Sequence, residues 1–110
     1  MVISTPVKAK VALQDIQNLP ESARLLTAYC LDSNLREFSL LSRETDADEL
    51  KHRGWIKEQP SVAPGVKNFC FSPSLWRQLQ SMRQEILTPH IARSVELYRR
   101  KKTQYYPWYW

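Results

Sequence analysis

The sequence predicts a mostly helical domain with a small β-hairpin, and three observations lead there. Apolar residues recur at three- and four-residue steps in several separate stretches. One stretch, Val66 to Ser72, alternates instead, so that Phe69 and Phe71 share a face by the two-residue period. Two hydroxyl–proline pairs, Ser72-Pro73 and Thr88-Pro89, carry the chemistry of helix starts. A length of 110 residues suits one domain, and 43% apolar residues are enough to bury a core.

The elements follow in order. Lys8 to Asn18 reads as a short helix with Val11, Ala12, Ile16 and Leu19 near one face. Asn18-Leu19-Pro20 ends it, and Glu21 to Leu31 forms a second helix with Pro20 at its first turn. Asp32-Ser33-Asn34 has turn chemistry. Leu35 to Ser42 is open between strand and helix, since Phe38 and Leu40 alternate with Glu37 and Ser39. Thr45 to Arg53 reads as a helix capped by Thr45, with Asp46, Asp48 and Glu49 at the positive end of its dipole. Gly54 stands where a left-handed terminator belongs. Trp55 to Glu58 and Val66 to Ser72 make the hairpin, with Pro60 and Pro64 in its connection. After Ser72-Pro73, Leu75, Trp76, Leu79, Met82 and Ile86 form one amphipathic face. Thr88-Pro89 either opens a new helix or kinks that one, and Ile91, Val95 and Tyr98 continue as a narrower apolar stripe.

Helix, helix, short strand, helix, hairpin, helix is the order of a winged-helix domain. The expected organisation is a winged-helix-like body over residues 1–87 and a C-terminal helical extension, a basic helix and aromatic tail, over 88–110. Four runs of residues carry a resemblance as well. They are Leu35-Arg36-Glu37-Phe38, Asp46 to Leu50, Arg53-Gly54-Trp55-Ile56, and Phe69-Cys70-Phe71-Ser72-Pro73 with Trp76 and Leu79. Together they resemble the soluble C-terminal region of the phage super-infection exclusion protein B family, over about half the chain. The resemblance implies a phage, prophage or mobile-element origin. Larger members of that family have membrane spans before this region, and no apolar run in this sequence approaches the ~20 residues of a span.

Composition excludes several function classes. With only Gly54 and Gly65, the chain has no Gly-rich phosphate cradle. Cys30, Cys70, His52 and His90 match no zinc spacing, and the two cysteines read as buried thiols in a reducing compartment. The N-terminus has no apolar signal-peptide core, so the expected location is the cytoplasm. Neither histidine sits in a catalytic motif, and the acidic group Glu44, Asp46, Asp48, Glu49 is explained by helix polarity. The expectation is a binding protein rather than an enzyme, without cofactor or metal.

The net charge of +5 is unevenly placed. Residues 1–72 hold nine Lys/Arg and nine Asp/Glu, whereas residues 73–110 hold seven basic residues against two acidic ones. The partner-binding candidates are therefore Arg93, Arg99, Arg100, Lys101 and Lys102, followed by Tyr105, Tyr106, Trp108, Tyr109 and Trp110. Cations beside aromatic rings suit a protein groove or a protein–nucleic-acid complex first, then nucleic acid alone, then a membrane surface. The weaker alternative is a tail folded back over its own domain, because each ring carries ~150–250 Å² of mostly apolar surface. As the alternative, a DNA-binding winged-helix regulator would use Lys51, Arg53 and Lys67 together with Arg99 to Lys102. Against it, the helix in the reading position begins with carboxylates, which phosphates repel.

Overall fold

The computed structural model describes residues 11–105, with side chains as far as Lys101. Among these residues six helices surround one three-stranded antiparallel sheet. The helices are α1 (Leu13–Gln17), α2 (Glu21–Asp32), α3 (Asp48–His52), α4 (Pro73–Ser81), α5 (Arg83–Ile86) and α6 (Pro89–Tyr105). The strands are β1 (Glu37–Leu41), β2 (Ile56–Gln59) and β3 (Val66–Phe71), and β3 lies in the middle.

Local chemistry accounts for most of the boundaries. The α2 helix stops because Asn34 takes a left-handed conformation (φ 58°) and turns the Leu35 amide back onto the Cys30 carbonyl at 2.7 Å. Gly54 (φ 77°) does the same for α3, turning the Trp55 amide onto the Leu50 carbonyl at 3.0 Å. A Cβ added at Gly54 would meet nothing within 4 Å, so the cost of a side chain there is backbone strain alone. Gly54→Ala is accordingly expected to lower stability by about 1 kcal/mol. Urea unfolding should show a lower midpoint at an unchanged slope, and an unshifted midpoint would remove the strain argument.

The alternating stretch folds as read. Phe38 pairs with Phe69 across β1 and β3, and Ile56 pairs with Phe71 across β2 and β3. On the inner face the Phe38 ring stacks on Phe69 at 5.4 Å, and the Phe71 ring lies tilted 5.1 Å from Trp76 of α4. Ile16, Leu26, Leu31, Leu50, Leu79 and Val95 complete the same buried cluster. The first part of α6 therefore belongs to the core of the body, burying Val95 and Tyr98 with Ile91 packed against them.

Three expectations change and two open alternatives are resolved. The open segment Leu35 to Ser42 is a strand. The helix expected from Thr45 begins only at Asp48, so Thr45 and Asp46 lie in the loop before it. The single amphipathic helix after Pro73 is two, broken at Met82 (φ −106°, ψ 14°) where the chain leaves helical geometry. Ser72 has the extended backbone of a cap, but its side chain makes no capping bond. Thr88-Pro89 opens a new helix, in which the Ile91 amide donates to the Thr88 Oγ1 at 3.3 Å.

Candidate functional site

The inner side of α6 is fastened to the body by specific contacts. Tyr98 is buried, its ring 5.5 Å from that of Tyr29 on α2. Its hydroxyl donates to Asp46 Oδ2 at 2.7 Å. Burial, reinforced by the Asp46 carboxylate, pushes the Tyr98 hydroxyl far above its ordinary range, so it stays a protonated donor. Burial likewise pushes the Tyr29 hydroxyl up to about 12.

Arg99 makes the next set of bonds. Its guanidinium donates to Asp32 Oδ2 at 2.6 Å, to Ser33 Oγ at 2.8 Å and to Glu96 Oε1 at 2.9 Å, and it lies over the Tyr29 ring at 5.6 Å. The bond to Asp32 holds the Arg99 guanidinium above its ordinary pKa. Arg83 reaches the same place from α5, donating to the Leu31 carbonyl at 2.8 Å. Two cations from the basic third thus converge on the C-terminal end of α2, where unpaired carbonyls and the helix dipole favour positive charge.

The remaining candidates divide by position. Arg93, Arg100 and Lys101 are exposed, and Arg100 has only a 3.8 Å approach to Glu96. Leu97 lies among them with 64% of its surface exposed. His90, Arg93, Leu97 and Arg100 line a shallow depression on the outer side of α6. Their spacing of three, four and three residues sets them on one stripe, turned away from Val95 and Tyr98. The other large apolar side chain exposed among the described residues is Val62, in the β2–β3 connection.

The structure places Arg93 and Arg100 on this stripe, leaves Lys101 exposed just beyond it, and takes Arg99 away from it. The side chains of Lys102 and Tyr105, and all of Tyr106, Trp108, Tyr109 and Trp110, lie outside the described residues. His90 and Leu97 were missing from the sequence-derived set. The same helical spacing that selected Ile91, Val95 and Tyr98 as the inner stripe places them opposite, so the signal was present.

The alternative set is occupied otherwise. Lys51 donates to Glu58 at 2.8 Å, and this hydrogen bond pulls the Glu58 carboxyl below its usual value. Arg53 donates to Glu49 at 2.7 Å and lies over the Trp55 ring at 5.4 Å. Lys67 pairs with the buried Leu40 on the sheet's inner face and is itself half-buried. No group of three or more His, Cys, Asp or Glu side chains able to hold a metal gathers among the described residues. No helix there is long and apolar enough to cross a membrane. Comparison of the chain with family models, curated proteins and solved structures finds no match.

Proposed function

We propose that this chain is a small, cytoplasmic, non-enzymatic binding protein, an adaptor or inhibitor of phage or mobile-element type. It engages a protein, or a protein–nucleic-acid complex, through the outer stripe of α6 and the aromatic residues that follow. One observation carries the reading: Leu97 is exposed amid Arg93, Arg100 and Lys101, on a helix whose other side is locked to the body. An exposed apolar side chain between two arginines, with Glu96 at its edge, suits an interface centre, where a few anchors supply most of the affinity. A rigid helix also loses little freedom on binding.

The winged-helix comparison has support in the element order and in the strand order β1-β3-β2. Between β1 and β2, however, stands the single five-residue helix α3, and its cations Lys51 and Arg53 face their own carboxylates. Duplex binding is therefore the second reading, and it would have to use α6 as well.

The test compares wild type with the double charge reversal Arg93→Glu, Arg100→Glu in capture from native lysate with nuclease present. Retention of the partner should fall at least ~30-fold, as loss of a hot spot of 2 kcal/mol or more implies. The melting temperature should stay unchanged, because exposed pairs such as Arg100–Glu96 contribute about 0–1 kcal/mol. Equal retention would sink the reading. A mobility shift of naked duplex by the purified chain, steeply salt-dependent, would favour the DNA alternative.

A further inference from the structure

Resting on the reading of the α6 stripe as the binding surface, we infer that its partner presents an acidic α-helix laid lengthwise along α6. That helix carries an apolar side chain between two carboxylates seven residues apart.

The spacing of the stripe selects a helix. His90, Arg93, Leu97 and Arg100 follow the alternating three- and four-residue steps of a coiled-coil seam, so they form one row along the outer side of α6. At about 1.5 Å per residue the row is ~15 Å long, and its two arginines stand ~10.5 Å apart with Leu97 between them. A second helix lying in that row repeats the same steps, and its side chains seat between those of α6. Side chains on one face of an extended strand recur every ~6.7 Å, a step that does not match the separation of the arginines.

The charge of the row selects carboxylates. No ion pair joins Arg93 to a carboxylate among the described residues. The Arg100 side chain is 73% exposed and 3.8 Å from Glu96, too far for a hydrogen bond. The Glu96 carboxylate is bonded instead to Arg99 at 2.9 Å, so the row keeps an excess of positive charge. A carboxylate facing each arginine supplies charge-assisted hydrogen bonds, and the apolar side chain between them covers Leu97. Phosphates fit less well. They follow one another closely along a strand, whereas the interval between Arg93 and Arg100 offers Leu97 and the Glu96 carboxylate. A lipid surface needs an apolar face beneath its cations, and Val95 and Tyr98 of α6 are buried in the body.

The experiment is fluorescence anisotropy of the full chain with a labelled, lactam-constrained helical peptide of pattern Glu-x-x-Leu-Leu-x-x-Glu, where x is Ala or Gln. This pattern sets a leucine between the glutamates in either helix direction. One control replaces both Glu by Gln. The other keeps the composition but sets the two Glu five residues apart, on different faces of the helix. The parent peptide should saturate below about 1 mM, with each control at least ~10-fold weaker. Leu97→Ala should weaken the parent by about 5-fold or more. The wild-type comparison of the three peptides does not depend on that variant folding. Either control binding as tightly as the parent, no saturation by about 1 mM, or tighter binding of an oligothymidylate or of phosphatidylserine vesicles overturns the assignment. The two readings fail separately. A peptide that does not bind, beside lysate capture that Arg93→Glu, Arg100→Glu still abolishes, removes the acidic helix alone. Capture that survives the charge reversal removes the stripe itself.

Discussion

Phe71→Ala is expected to destabilise the domain by about 4 kcal/mol, the largest effect of any single substitution considered. Phe71 is wholly buried in the central strand, with Phe38 at 5.6 Å and Trp76 at 5.1 Å. Its amide and carbonyl are both held by Arg36, at 3.0 Å through the backbone carbonyl and at 3.2 Å through Nε. Those bonds hold the backbone in place, so the sheet cannot close over the space the ring leaves, and the cavity term adds to the lost burial. Domains of this size have about 5–15 kcal/mol in total, so the variant should sit near its unfolding midpoint in mild urea. Tryptophan fluorescence should report the loss early, since Trp76 packs directly on the missing ring. A loss below about 1 kcal/mol would mean that α4 settles into the gap and that the inner face is not packed as described.

Arg99→Ala is expected to cost about 2 kcal/mol, although Arg99 sits in a basic run where its neighbours cost nothing. An exposed ion pair would not justify this figure. Arg99 is 34% exposed, so its bonds to Asp32 and Glu96 are partly screened by water. The larger share comes from its position over Tyr29 and from the end of α2 that it neutralises. Lys101→Ala, two residues further on and exposed, should change stability by less than about 0.5 kcal/mol. Chemical denaturation of both variants checks the contrast, and a double-mutant cycle with Asp32→Ala should return a coupling of about 1 kcal/mol. Equal effects of the two substitutions would show that the α2–α6 contact rests on Val95 and Tyr98 alone. Hydrogen exchange should also quicken in α6 of the Arg99 variant, because its fastening to α2 is weakened.

What could be read in advance was local. Ser72-Pro73, Thr88-Pro89 and Gly54 set boundaries through the dihedral angles those residues prefer, which depend on near neighbours only. The alternation of Phe69 and Phe71 specified a strand and its buried face, because the period of two holds whatever the strand packs on. Thr45 misled, since a capping residue followed by carboxylates is also what a loop looks like when one of them, Asp46, accepts a bond from Tyr98, 52 residues away. The break at Met82 has no glycine or proline to announce it. It coincides with Arg83 reaching the end of α2, a contact also 52 residues apart.

The basic C-terminal third shows the same division. Its excess of cations and its helical period are properties of the chain alone, and they determined that a charged helix follows Pro89. Which cations remain available was decided by the fold. Arg83 and Arg99 turn inward to the carbonyls and Asp32 at the end of α2, while Arg93, Arg100 and Lys101 stay outside around Leu97. Charge along a sequence is additive, but the partner each charge meets depends on which helix end packs beneath it.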